Sequence, residues 1–281
     1  KAGLLIEIDR PINKDTEMHP LVRWQFRGGI PPEDRRAFLF TNVHDSKGRK
    51  YDIPVLVCGL AGNNQIYSIG MGCKIEEIRD RWIKAMSNPL KPRMVKDAPC
   101  QEIVYQGADL RNGKGLDAIP VPISTPGWDN APYTTSSHFI TIDPDTGIQN
   151  MGNYRGMIKA PDRMGMNPSI ELRTGGYMHW AKWKEKGQPM PCAVVLGCPP
   201  AVSYTAVQKV PEIYDELDIT GGLIGQPLNV VKCKTVDLMV PAEAEIIIEG
   251  FVSTEFLEPE APFGESHGHV NLQEYNGVLD V

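Results

Sequence analysis

From about residue 101 onward the chain breaks into short β-branched runs, each closed by a glycine- or proline-rich turn, and this pattern constrains the fold most. The runs are QEIVYQG at 101–107, SSHFITIDP at 136–144, MGNYRGMIKA at 151–160, PCAVVLGC at 191–198, LNVVKCKTV at 228–236 and AEIIIEGFV at 244–252. Strands this short and this regularly interrupted favour a barrel-like or closed mixed sheet over a doubly wound one. DPDTG at 143–147 reads as a turn between two strands, since proline presets one turn dihedral and glycine tolerates the last. Helical intervals are expected over roughly 168–187, including Trp180 and Trp183, and from near 201.

The first hundred residues read differently, as a mixed α/β region. GLLIEID (3–9) and YDIPVLVCGL (51–60) have the composition of buried strands. KIEEIRDRWIKAMSN (74–88) sets Ile75, Ile78, Trp82 and Ile83 on one helical face, which predicts a surface helix covering a sheet. PLKPRMVKDAP (89–99) carries three prolines and is the expected boundary or crossover. The fold class is therefore α/β (α+β), with an N-terminal α/β domain over 1–100 and a strand-rich domain over 101–281. At 281 residues and 41% hydrophobic content, the chain can supply one substantial core or two ordinary ones.

Charge and cysteine usage exclude several function classes. The 29 basic and 35 acidic residues leave a formal charge of −6, with no basic tract that could follow a nucleic-acid backbone. The six cysteines are scattered with no CxxC pair, so a zinc knot or thioredoxin-like redox pair is not expected. No apolar run is long enough to span a bilayer, and KAGLLIEIDRPINK lacks the features of a secretion signal. A cytoplasmic protein without membrane partner is expected. Its start at Lys1 and its end at YNGVLDV leave open a processed, split or partial product.

Two segments carry chemistry. In IDPDTGIQNMGNYRGMIKAPDRMGM (142–166), Arg155 presents a planar, permanently charged fork suited to a carboxylate. Composition alone equally allows an edge-strand arginine in a surface ion pair. Asn150 lies an odd number of residues earlier, so the two side chains share a pocket only if the strand bulges, at Gly152 for example, or if a ligand wraps an edge. In EPEAPFGESHGHV (258–270), Glu260 and Glu265 flank Pro262, Phe263 and Gly264, a sequence able to fold both carboxylates toward one centre or simply to form an acidic loop. Paired carboxylates with an arginine between them suit acid–base work. His267 and His269 read as loop residues rather than metal ligands, and Glu216 on composition reads as the polar face of a short helix. Met151, Tyr154, Met157, Phe256 and Phe263 are apolar residues that could line a pocket or fill a core.

Together these segments, with NVHDSKGRKYDIPVLVCGLAGN, GCPPAV and VVKCKTVDLMVPAEAEIIIEG, closely resemble the UbiD family of decarboxylases, in order and over nearly the whole chain. The resemblance implies an N-terminal α/β domain, a flavin-binding domain on a split β-barrel, and in long members a C-terminal oligomerisation domain. It implies prenylated FMN as cofactor and reversible, non-oxidative decarboxylation of an aromatic or α,β-unsaturated carboxylic acid, with carbon dioxide as the second small molecule. It assigns the catalytic trio to Arg155, Glu260 and Glu265, cofactor contacts to Asn150, Met151, Asn153, Arg155 and Glu216, and a divalent metal, manganese, to Asn150 and Glu216, with a K+ ion beside it. Two departures stand out. The family's metal-binding histidine falls on Gly175, with His179 one helical turn away. The chain also stops soon after the PFGE loop, which implies a homo-oligomer, a partner subunit, a fragment or a short architecture. The rival to an enzyme is a non-catalytic assembly or cofactor-maturation subunit of a multicomponent carboxylase.

Overall fold

The computed structural model describes residues 2–211 and 213–281. The chain opens with strands β1 (Leu5–Ile8) and β2 (Ile12–Asn13), helix α1 (Met18–Arg27), and strands β3 (Ala37–Phe40), β4 (Val43–His44), β5 (Lys50–Tyr51) and β6 (Val55–Val57). Strand β3 pairs with β1 on one side and β6 on the other, while β4 sits between β2 and β5. Met18 and Val22 on one face of α1 pack into Ile12, Phe38, Phe40 and Val43, which fixes the helix against these sheets. GLLIEID is a strand but not a buried one. β1 has β3 as its sheet neighbour, and Leu5 remains 52% exposed.

Helices α2 (Asn64–Met71) and α3 (Ile78–Ser87) follow. Asn63 caps α2 through Oδ1, which accepts the Ile66 N–H at 2.8 Å, and Gly72 ends it in the left-handed conformation. The expected helix at 74–88 is present, with its first turn tightened to a 3-10 turn at Ile75–Glu77. Its packing differs from expectation. Ile78, Trp82, Ala85 and Met86 join Ile219 and Leu223, so the helix covers another helix rather than a sheet. Ile75 and Ile83 point to solvent.

The remainder is dominated by one curled antiparallel half-barrel. Its strands are β8 (Tyr133–Thr134), β9 (Ser137–Ile142), β10 (Gln149–Asn153), β11 (Gly156–Ala160), β12 (Arg163–Met166), β13 (Met190–Leu196), β16 (Ile246–Val252), β17 (Glu258–Glu260) and β20 (Glu274–Asp280). The order runs β10-β9-β13-β16-β20-β12-β11-β8, with β17 also on β20. Outside it lie β7 (Arg93–Met94), which pairs with β14 (Asn229–Lys232), and β15 (Met239–Pro241), β14's other neighbour. β18 (Phe263–Gly264) and β19 (Val270–Asn271) form a separate hairpin. Helices α4 (Gly175–Glu185), α5 (Pro200–Ala206) and α6 (Glu216–Ile224) complete the chain.

Alternation divides the barrel strands between two cores. Ile140, Ala193 and Val195 face one side, with Leu217, Val230 and Val240, while Phe139, Cys192 and Val194 face the other, with Met164, Trp180 and Trp183. Burial on both faces explains why β9 and β13 read as nearly continuous apolar runs. QEIVYQG is not a strand. It leaves a 3-10 turn at Pro99–Gln101 and continues as irregular chain, with Ile103 exposed and Gly107 at φ +58°. MGNYRGMIKA is two strands, interrupted at Tyr154 and Arg155.

Candidate active site

The interruption between β10 and β11 is where the site begins. β10 pairs with β9 in unbroken register from Gln149 to Asn153, so there is no bulge at Gly152. The chain turns out of the sheet one step later, and Asn153, Tyr154 and Arg155 all line the same cleft. The ring of Tyr154 lies over Gly152 and Gly176, where a Cβ at either position would run into it. Its hydroxyl accepts the Gly176 N–H at 3.1 Å. Arg155 is tied to the neighbouring strand by an isolated bridge to Asn167.

Arg155 gathers carboxylates from three segments. Its Nε donates to Glu260 Oε1 at 2.8 Å and its Nη2 to Glu260 Oε2 at 3.0 Å, a bidentate pair. Nη1 donates to Glu265 Oε1, and Nη2 also reaches Glu274 Oε2 at 3.0 Å. The Phe263 ring lies 4.8 Å from the guanidinium carbon, covering one of its faces. The sequence trio Arg155, Glu260 and Glu265 is thus assembled in space, and the loop between the two glutamates folds as expected. Ala261 there takes φ +88°, held by its N–H donating to Tyr133 Oη at 3.0 Å and its carbonyl accepting from Asn130 Nδ2 at 2.9 Å.

The three carboxylates are not equivalent. Glu260 has a side chain only 1% exposed, and its Oε2 also accepts from Asn167 Nδ2 at 3.1 Å and Asn276 Nδ2 at 2.7 Å. Glu265 is 25% exposed, lines the cleft, and takes a further bond from Asn271 Nδ2 at 3.0 Å. Glu274 is 39% exposed and accepts from Asn167 Nδ2 at 2.6 Å. Sequence reasoning missed Glu274, Asn167 and Asn276. One signal was available: Glu274 and Asn276 are two residues apart on a strand that is otherwise apolar toward Leu279, so both polar side chains fall on one face.

The cleft has a volume of about 620 Å³. One wall comes from α1, through His19, Arg23 and Phe26, and another from Thr135, Asn153 and Phe263. Asn153 donates to the Thr135 carbonyl at 3.2 Å. Beneath it His138, the register partner of Asn153 on β9, has its pKa lowered to about 4 by burial, against a hydrogen bond to the Asn153 side chain, with Nε2 on Ser203 Oγ at 2.8 Å. A cleft of this size, lined by Arg155, Asn153 and apolar side chains such as Val22, Phe26 and Phe263, fits a flat, hydrogen-bonding cofactor such as a flavin.

The metal assignment fares less well. Glu216 sits in the first turn of α6, buried, with its pKa pushed up to about 8, and Oε2 accepts the Met151 N–H at 2.7 Å. Asp215 beside it is pushed up to about 7, again chiefly by burial. Asn150 turns its carboxamide over Gly175, into the space a Cβ would need, and toward Tyr154 Oη at 3.4 Å. His179 does not substitute for the histidine. It is buried, lowered to about 4 by burial, and its Nδ1 is engaged with Thr141 Oγ1 at 2.9 Å. Among the described residues no three His, Cys, Asp or Glu side chains converge on a possible ion. Two oxygen donors, one already hydrogen-bonded, do not make a manganese site on their own. Met151 sends its side chain into the core, Met157 is half-buried, and Phe256 is exposed. His267 and His269 form a loop turn, the His269 N–H donating to His267 Nδ1 at 3.3 Å. All six cysteines are free, and among the described residues no helix is long and apolar enough to cross a membrane.

A curled half-barrel that presents a buried arginine–carboxylate cluster to a deep cleft defines the fold as a mixed α/β protein of split-barrel type. The chain belongs to the UbiD family: the model of the 3-octaprenyl-4-hydroxybenzoate carboxy-lyase Rift-related domain matches residues 93–281. It is similar to an evolved dimeric form of the UbiD-class enzyme HmfF from Pelotomaculum thermopropionicum in complex with prFMN, at 30% identity and TM-score 0.85, over 99% of this chain and 61% of that one. HmfF in complex with FMN matches at 30% identity and TM-score 0.86, covering 99% of this chain and 58% of that one. Sedimentibacter hydroxybenzoicus vanillic acid decarboxylase, in closed form, shares the fold at 24% identity and TM-score 0.86, with 99% and 58% coverage. The chain therefore spans about three fifths of the length of these structures.

Proposed function

We propose that this chain carries the cofactor cleft and acid–base centre of a prenylated-FMN-dependent decarboxylase acting reversibly on an aromatic or α,β-unsaturated carboxylic acid. The observation that carries the reading is that, of the three carboxylates on Arg155, Glu265 is the one that also lines the cleft. Asn153, Thr135 and the Arg155 guanidinium would hold the flavin's polar edge. When bound, the modified flavin supplies the electron sink for the carbon–carbon bond that breaks.

The chain's own residues do the rest. Arg155 orients the acid's carboxylate, and Glu260, locked by two asparagines and the bidentate pair, fixes the guanidinium. As carbon dioxide leaves, Glu265 delivers the proton that takes its place on carbon, then recovers one from solvent, to which it is partly open. Run backward, Glu265 removes that proton and Arg155 receives the new carboxylate. Phe263 and Tyr154 keep bulk water from the cluster.

The test is Glu265→Gln in protein co-produced with a flavin prenyltransferase and purified without oxygen. Flavin absorbance should persist while turnover and solvent-deuterium incorporation into the product are lost; retained turnover would sink the role. A second reading, a non-catalytic component of a multisubunit carboxylase, draws support from the glycine at 175, and a wild-type protein that binds flavin yet incorporates no deuterium with any acid would favour it.

A further inference from the structure

The α1 wall of the cleft carries polar groups that the proposed chemistry leaves unused. His19, Val22, Arg23, Phe26 and Arg27 follow the spacing of one helical face and all line the cleft. Arg23 donates to Thr125 Oγ1 at 3.0 Å and reaches the Glu265 carbonyl at 3.4 Å, but no carboxylate lies within ion-pair distance of it among the described residues. Next to it the hydroxyl of Ser124, a residue only 5% exposed, is buried with no protein partner, and the His19 imidazole lies against the Ser124 backbone. Both residues also line the cleft.

Buried polar atoms without a protein partner cost free energy unless water or a ligand in the cleft satisfies them. A guanidinium without a carboxylate partner, beside an unpartnered hydroxyl and an imidazole, is a set of groups able to donate to an anion. Asp129, a carboxylate near His19, is already committed, with Oδ1 accepting the Gly264 N–H at 2.7 Å and Oδ2 the Thr125 N–H at 2.8 Å. Burial and then the Arg23 charge lower the His19 pKa, opposed by its hydrogen bond to the Ser124 backbone and by Asp129.

We propose that Arg23, His19 and Ser124 form a second oxyanion subsite on the α1 wall of the cleft, beside the Glu265 loop, which receives an anionic oxygen group of the bound ligand. This rests on the cleft being the ligand site of the proposed function. The group has two possible sources, a second acidic substituent on the substrate or the phosphate of the flavin, and the chemistry of the subsite is the same for both.

The experiment is calorimetric titration of flavin-free wild-type, Arg23→Gln and Ser124→Ala proteins, with melting curves as the check on folding. The probes are inorganic phosphate, the pair FMN and riboflavin, and the pair benzene-1,4-dicarboxylate and benzoate. Phosphate binding should weaken at least tenfold in Arg23→Gln and severalfold in Ser124→Ala. A tenfold fall in the FMN-to-riboflavin affinity ratio assigns the subsite to the flavin phosphate, and a like fall in the dicarboxylate-to-benzoate ratio assigns it to the substrate. Unchanged phosphate affinity and unchanged ratios in both variants overturn the subsite. Wild-type protein that binds phosphate through Arg23 but neither flavin nor either acid would instead sink the decarboxylase reading and leave the subsite standing.

Discussion

Replacing Glu260 with glutamine changes no shape and removes one charge, and the structure says how much that should cost. Four N–H donors converge on the two carboxylate oxygens, one from Arg155 Nε on Oε1 and one each from Arg155 Nη2, Asn167 and Asn276 on Oε2. A glutamine amide turned either way sets its own NH2 against at least one of them; the better choice faces Arg155 Nε. The guanidinium then sits 12% exposed without its main counter-ion. Breaking a buried pair from one side costs about 3–5 kcal/mol, and because Glu265 and Glu274 still oppose the charge, the lower end, about 3 kcal/mol, is expected. Glu265→Gln, at a partly open position, should cost about 1 kcal/mol or less. Urea unfolding at pH 7, followed through tryptophan emission, measures both. Changing Arg155 and Glu260 together to methionine should recover part of the loss, because the two most buried charges go together and only the partly exposed Glu265 and Glu274 lose their cation. A loss below about 1 kcal/mol for Glu260→Gln, or an equal loss at both sites, would refute the division into a buried counter-ion and a cleft-facing acid.

Three further outcomes follow from the same geometry. Burial keeps His138 and His179 neutral in the fold to about pH 4, while the unfolded chain takes up their protons below about 6.5. Between those pH values the unfolded state binds more protons, so stability falls as pH drops through the window, by about 3 kcal/mol per histidine; His179→Gln should flatten roughly half of that slope in urea titrations. Gly175→Ala drives a Cβ into the Asn150 carboxamide, and overpacking of about 1–3 kcal/mol should outweigh the roughly 1 kcal/mol gain in helix propensity, so a higher melting temperature would contradict the contact. Manganese added to flavin-free protein should leave the melting temperature unchanged, and a rise of several degrees would reveal ligands beyond Asn150 and Glu216.

Much of the barrel was legible because its strands obey one strong rule. Val194 and Val195 go to opposite cores, so a run buried on both faces announces itself without any partner in view. The same logic misread QEIVYQG, whose Ile103 and Val104 mimic a strand yet find no neighbour to pair with. It also misjudged α3, where the faces of Ile78 and Ile83 are separated by what packs on them rather than by hydropathy. At the site, residue chemistry alone gave an arginine and two glutamates with open alternatives, and the family resemblance joined them. Glu274 stayed hidden because its closeness to Arg155 depends on β20 lying beside β12 and β17, a long-range pairing that local spacing does not encode.

The seating of Tyr154 has a consequence for how this protein can vary. Its ring rests on two bare backbones, one on a strand and one on a helix, immediately before the guanidinium-bearing residue. Any side chain at 152 or 176 would run into the ring and force it to shift. In a saturation library selected for turnover, those two positions should return glycine and nothing else, marking out the reactive centre from residues that never touch a ligand.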